Sequence, residues 1–345
     1  MTTPGSEQDQ PSYTRKDFIS DLDIRWCSGC GDYFIHQALT QTFANMGRKR
    51  EDFLVVSGIG CSSRFPYYLQ TYGFHTIHGR APTVALGAKL ANPELSVWVI
   101  TGDGDGLSIG GNHLLHLIRR NPDINVILFN NEIYGLTKGQ ASPTSKLGQR
   151  TKSSPMGTLE RPLNPLRFAL SAGATFVARV VDTNPAMMKD VFRRASEHKG
   201  LSFVEAYTTC VIFNDGVFDP FEKRSERADH TVELRHGEPL IYGKKKDKGI
   251  ILDEFHLKSV GLGEGGTPKE EILVHDAHRS DPVMALFLAR MEQPELPLPV
   301  GVFYENDEPA VYEEQVLAQE KHAVEQQGRG DLAKLLYSGE KWQVD

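Results

Sequence analysis

The sequence predicts an α/β chain wound on both faces of a parallel sheet, and three observations carry that prediction. Ser96-Val-Trp-Val-Ile-Thr101 is a short apolar run ending in Gly102-Asp-Gly-Asp-Gly106. A helix-like segment from Ile109 to Arg120 follows, then a second apolar run, Ile124-Asn-Val-Ile-Leu-Phe129, ending in Asn130-Asn131. Strand, glycine loop, helix, strand and polar loop make a βαβ unit. The same alternation continues on either side of it. Finally, 345 residues with 39% hydrophobic content are enough for a sizeable core.

The elements follow in order. Residues 1–20 are expected as a flexible N-terminal tail, 21–215 as the main domain, and 216–345 as an irregular C-terminal extension packed on the core or on a partner subunit. An amphipathic helix runs from about Tyr33 to Met46 and is closed by Gly47. His36 within it is read as a helix residue. Phe53-Leu-Val-Val-Ser57 is a strand of the fully buried type, running into Gly58-Ile-Gly-Cys-Ser62. A helix is expected from about Thr83 to Ala91. Thr137 to Pro165 is long and rich in Ser, Thr, Gly, Pro and Lys, which inside an α/β domain marks a functional loop. Helix 164–173, strand 175–181, helix 185–198 and strand 201–207 complete the alternation, so the sheet is doubly wound and parallel. After Phe213 the periodicity fades. Lys244 to Gly249 reads as a solvated charged turn. Gly261 to Gly266 lacks the flanking strand and helix of a nucleotide loop. Helices are expected over 281–291 and, polar and acidic, over 307–327.

Composition narrows the function. A net charge of -7 gives no basic excess for nucleic acid. No apolar run approaches the length of a membrane span, and residues 1–11 lack a signal-peptide apolar core. A cytoplasmic protein is the expectation.

Two constellations carry chemistry. Asp103 sits in a glycine loop, and Asn131 ends the neighbouring strand 28 residues later. In open α/β sheets, ligands bind where such loops leave the strands. A carboxylate, an amide oxygen and a nearby carbonyl form a hard oxygen site suited to Mg²⁺ held with a diphosphate. The four cysteines are Cys27, Cys30, Cys61 and Cys210. Together they make one four-thiolate site, which fits zinc or an iron–sulfur cluster. The usual zinc pattern has two Cys-x-x-Cys pairs, and this chain has one. Cys61 directly follows the Gly58-Ile-Gly60 loop, at the sheet edge that also carries Asp103 and Asn131.

From Trp26 to Cys210 the sequence resembles the β subunit of 2-oxoacid:ferredoxin oxidoreductases, most nearly the 2-oxoglutarate type. Gly102-Asp-Gly with Asn131 resembles the thiamine-diphosphate motif. The text GDGDGLSIGGNHLLHLIRRNPDINVILFNNEIYGLTKGQASPTS carries the rest. Beyond about residue 215 the likeness weakens. The resemblance implies the thiamine-diphosphate-binding fold, with Ile59, Gly60, Cys61, Ser62, His78, Gly104, Asp105, Gly135 and Leu136 touching the cofactor. Asp103, Asn131 and the carbonyl of Ile133 would hold Mg²⁺. The four cysteines would hold one [4Fe–4S] cluster. Arg64 stands where some relatives carry Lys, at a position linked to the distal part of the substrate, and with His78 it is a catalytic candidate.

The implied reaction is CoA-dependent oxidative decarboxylation of 2-oxoglutarate to succinyl-CoA and CO₂, with electrons passing through the cluster to ferredoxin; the family also runs it in reverse. A partner α subunit would supply the glutamate that activates the aminopyrimidine, in a heterodimer or heterotetramer. Three alternatives stand beside this reading: the same reaction on pyruvate or another 2-oxoacid, a non-redox thiamine-diphosphate decarboxylase or synthase, and a zinc-stabilised binding module.

Overall fold

The computed structural model of the chain describes residues 12–344. An eight-stranded sheet forms its centre. The strands are β1 (Phe53–Ser57), β2 (Tyr72–His75), β3 (Ser96–Gly102), β4 (Ile124–Asn130), β5 (Phe176–Val181), β6 (Ser202–Tyr207), β7 (Thr231–Leu234) and, after a separate small sheet, β11 (Leu298–Glu305). Their order is β2-β1-β3-β4-β6-β5-β11-β7. All neighbours run parallel except β5 and β11. Strands β8 (Ile241–Tyr242), β9 (Lys248–Asp253) and β10 (His256–Gly261) make the small antiparallel sheet.

The sequence pattern explains the layering. β1, β3 and β4 read as continuous apolar runs because both faces are covered. Alternate residues enter opposite cores: Leu54, Val56, Val97, Val99, Val126 and Leu128 on one side, and Phe53, Val55, Trp98, Ile100, Ile127 and Phe129 on the other. Helix α1 (Asp32–Asn45) buries Ile35, Ala38, Leu39, Thr42 and Phe43, the spacing of a single helical face. It packs with α6 (Pro185–Glu197) over the second core. The first core is covered by α2 (Ala81–Ala91), α4 (Gly111–Ile118) and α5 (Pro165–Ser171), while the short α3 (Asp103–Leu107) leaves β3 at the carboxyl edge. Helices α5 and α6 both begin Asn-Pro. Asn164 and Asn184 accept hydrogen bonds from the backbone amides of Arg167 and Met187, and proline follows at the first helical position.

Two findings depart from the expectations. The expected tail, 1–20, falls partly outside the described residues. Within 12–20, Arg15–Phe18 forms a helical turn and Phe18 is fully buried against Phe43 and Phe53. The segment 216–345, expected to be irregular, contributes β7 and β11 to the main sheet. β11, Leu298-Pro-Val-Gly-Val-Phe-Tyr-Glu305, is buried along nearly its whole length. Its Pro299 and Gly301 are residues that normally argue against a strand, which hid it. Helix Tyr312–Gln327 is largely exposed, in line with its polar composition. Among the described residues no helix is long and apolar enough to cross a membrane.

Candidate active site

Parallel pairing sets the carboxyl ends of β1, β3, β4 and β6 side by side. The turns leaving them gather at one edge, where α/β sheets bind ligands. With the 78–79 turn they enclose a cavity. Its wall includes Ile59, Gly60, Cys61, Ser62, His78, Asp103, Gly104, Asp105, Asn131, Ile133, Gly135 and Leu136. Every residue the resemblance assigned to cofactor or Mg²⁺ therefore stands on one wall. Asp32, Phe129, Tyr134 and Thr137 also line it, and sequence reasoning had passed over them.

Asp105 ties this wall together. Its Oδ1 accepts the backbone amides of Ile59 at 3.0 Å and Gly79 at 2.8 Å, and its Oδ2 accepts the Thr101 hydroxyl at 2.7 Å. His78 Nδ1 lies 2.7 Å from the same Oδ1, off the line of a good hydrogen bond. One carboxylate thus joins the exits of β1 and β3 to the 78–79 turn. Gly58 permits this approach, since a Cβ there would sit 1.9 Å from Asp105 Oδ2. The imidazole of His78 remains partly open to the cavity, with its side chain 40% exposed.

Asp103 has a different environment. It is 2% exposed. Its Oδ2 accepts the hydroxyl of Thr144 at 2.7 Å, and burial pushes its carboxyl up to about 6. Asn131 folds its side-chain oxygen over the turn to accept the amide of Ile133 at 3.2 Å. Asn214 holds the Asn131 carbonyl at 2.9 Å, and Tyr134 Oη donates to the Gly104 carbonyl at 3.0 Å. A buried carboxylate, an amide oxygen and a main-chain carbonyl on one wall suit a hard divalent cation.

A second cavity, about 420 Å³, is lined by Cys27, Cys30, Cys61 and Cys210 together with Arg25, Arg64 and Lys138. All four thiols are free. Trp26 Nε1 donates to the Cys61 carbonyl at 2.8 Å, and Gly31 N bonds the Thr209 carbonyl at 3.4 Å. These contacts bind the Cys-x-x-Cys turn to the exits of β1 and β6. A Cβ on Gly135 would lie 3.5 Å from Cys210 Sγ and 3.6 Å from Cys61 Sγ, in ordinary contact with both. Among the described residues no three Cys, His, Asp or Glu converge on one metal-ion position. The four thiols line one cavity. Burial, reinforced by the Asp32 carboxylate, pushes the Cys61 thiol up to about 12 and raises Cys30 as well. Bound iron would reverse this by stabilising the thiolates.

The two cavities share Asp32, Cys61, Asn131, Gly135 and Leu136. Arg64 lies on the cysteine cavity and not on the wall of the first; its guanidinium is 3.4 Å from the Arg25 carbonyl. His36 is buried with Nε2 3.1 Å from the Tyr68 carbonyl, a structural placement. The long loop after Thr137 folds back over the site, and nothing in the sequence pointed to its Thr144. Behind it runs a buried network. Asn130 Nδ2 donates to Glu205 at 2.7 Å, and Arg179 Nε donates to the other Glu205 oxygen at 2.7 Å.

A phosphate-type glycine loop, a cation-ready carboxylate and an amide at the edge of a doubly wound sheet define a thiamine-diphosphate-binding domain. The thiamine pyrophosphate enzyme C-terminal TPP-binding domain family matches residues 58–206. The chain belongs to the β subunits of the 2-oxoacid:ferredoxin oxidoreductases. It is 46% identical over 342 residues to the 2-oxoglutarate oxidoreductase subunit KorB of Mycobacterium tuberculosis, covering 98% of this chain and 90% of that protein. It is 38% identical over 250 residues to the 2-oxoglutarate synthase subunit KorB of Archaeoglobus fulgidus, covering 72% and 86%. Among solved structures it is similar to the 2-oxoglutarate:ferredoxin oxidoreductase from Magnetococcus marinus, bound to 2-oxoglutarate, coenzyme A and succinyl-CoA. That match has a TM-score of 0.75 and 32% identity, and covers 97% of this chain and 98% of the other.

Proposed function

We propose that this chain is the β subunit of a 2-oxoglutarate:ferredoxin oxidoreductase, with thiamine diphosphate and Mg²⁺ in the first cavity and a [4Fe–4S] cluster in the second. The observation that carries this reading is the shared wall. Cys61, Asn131, Gly135 and Leu136 border both cavities, so a carbon-centred electron donor and a one-electron acceptor would be direct neighbours. A zinc-stabilised module or a non-redox thiamine enzyme has no use for that adjacency.

When bound, thiamine diphosphate supplies the carbanion chemistry that breaks the bond to CO₂, and the cluster supplies one-electron storage. The protein supplies placement. Asp103, Asn131 and the Ile133 carbonyl would hold the cation. Asp105 fixes the three turns that shape the cavity, and His78 beside it would hold or move a proton there. Cys27, Cys30, Cys61 and Cys210 would each ligate one iron, in keeping with a single Cys-x-x-Cys pair and two distant cysteines lining one cavity. Cys27 is exposed, and Arg25 and Lys138 stand on the same rim. That rim suits an acidic ferredoxin docking from outside. A partner α subunit would complete the site, in a heterodimer or heterotetramer.

The test is anaerobic co-purification with the α subunit, followed by viologen and ferredoxin reduction with a panel of 2-oxoacids. Reduction dependent on both 2-oxoglutarate and CoA is expected. A preference for pyruvate or another oxoacid would change the substrate. Decarboxylation with no electron acceptor and no iron would replace the reading with a non-redox one.

A further inference from the structure

Thr144 is fully enclosed, 4% exposed, on the long loop after Thr137. Its hydroxyl has one proton and two acceptors in reach, Asp103 Oδ2 at 2.7 Å and Asn130 Oδ1 at 2.9 Å. Asn130 already has other partners. Its Oδ1 accepts the Glu132 amide at 3.1 Å, and its Nδ2 is held by Glu205 at 2.7 Å. An ionised carboxylate is the stronger acceptor of the two, so the Thr144 proton belongs to Asp103 whenever that group is charged. Ser142 Oγ, 3.2 Å from Thr144 Oγ1, can donate into the same chain. The next residue clamps the other side of the site: Ser145 Oγ donates to the Glu132 carbonyl at 2.6 Å and accepts the Ser142 amide at 2.8 Å. The 142–145 turn is therefore bonded both to the carboxylate at the end of β3 and to the backbone beside Asn131.

We propose that Thr144 is a positioning residue for the cation site. By holding Oδ2 of Asp103 it turns the carboxylate's other oxygen toward the cavity, and so sets how tightly a divalent cation and its diphosphate bind. This rests on the reading of the first cavity as a Mg²⁺–thiamine-diphosphate site. The physical reason is that a buried carboxylate can rotate about its Cβ–Cγ bond, and each unproductive rotamer is lost to coordination. Hydrogen bonds from outside the coordination sphere remove that freedom, and losing one typically costs 10–100-fold in metal affinity. The Thr144 hydroxyl is the loop's bond to the Asp103 carboxylate itself.

The experiment uses the co-purified complex with its α subunit, stripped of cofactor by chelation and dialysis. Calorimetry measures thiamine-diphosphate binding as Mg²⁺ is titrated, for wild type, Thr144→Val and Thr144→Ser. Valine keeps the volume and removes the hydroxyl; serine restores the hydroxyl with less volume. The expected result is affinity weakened about 10–100-fold in T144V and recovered to within about threefold of wild type in T144S. T144V binding like wild type overturns the proposal. Equal weakening in both variants also overturns it, because packing of the loop would then be what counts. Wild type without Mg²⁺-dependent binding would instead remove the reading of the cavity on which the proposal stands.

Discussion

Replacing Asp103 with Asn should move cofactor affinity and apo stability in opposite directions. The carboxyl of Asp103 is pushed from 3.8 up to about 6 by burial. Within the fold the charged form is therefore disfavoured, and the sign follows from proton counting. Below pH 3.8 the group is protonated both folded and unfolded, and the difference vanishes. As pH rises through the window from 3.8 to about 6, the unfolded chain releases its proton first, so the folded state loses stability. Above that window the loss is constant. Integrating gives a cost of about 1 kcal/mol at pH 4.5 and about 3 kcal/mol at pH 7.5. Asn keeps the shape, can still bond Thr144, and carries no charge. Apo D103N should therefore be more stable than wild type at pH 7.5, by about 1–3 kcal/mol, and by less near pH 4.5. A bound divalent cation reverses the balance, because it needs the anion the cavity otherwise penalises. Mg²⁺-dependent thiamine-diphosphate affinity should fall by about 10²-fold or more in D103N, since the only anionic ligand of the set is lost. Thermal unfolding of the stripped complex at the two pH values and calorimetry with Mg²⁺ and cofactor read the two effects. Unchanged affinity, or an apo variant less stable than wild type at pH 7.5, would show that Asp103 is a structural turn residue and not a waiting ligand.

Three further outcomes are expected. Anaerobically purified protein should carry about four irons per chain with a visible absorption band, and Cys210→Ser should lose both; stoichiometric zinc without iron would sink the cluster. The chain freed of its α subunit should show no useful 2-oxoacid turnover, because among the described residues no glutamate lines the first cavity; robust turnover by the single chain would refute the two-subunit reading. Arg64→Met should raise KM for 2-oxoglutarate by about 10²-fold while sparing pyruvate, if its guanidinium grips the distal carboxylate. Equal losses on both substrates would assign Arg64 to the cysteine cavity it lines.

The sequence alone determined the α/β core up to about residue 207 and named the residues that the fold brings to one wall. Apolar runs such as Phe53–Ser57 and Ile124–Asn130 encode fully buried strands because both faces must exclude water. The Asn-Pro pairs at 164–165 and 184–185 mark helix starts by local hydrogen bonding, which needs no tertiary information. Asp103, Asn131 and the four cysteines were legible because their chemistry is unusual for loop positions, and the resemblance supplied the rest of the wall. Tertiary structure decided what no local pattern encodes. It placed β11 antiparallel to β5 despite Pro299 and Gly301. It set Arg64 on the wall of the cysteine cavity and gave Asp105 to the turns it joins. It brought Thr144, 41 residues from Asp103 in sequence, to within 2.7 Å of that carboxylate. A lone threonine in a polar loop looks like any other. Its significance comes from a buried charge that needs a donor, and only the folded chain shows which donor arrives.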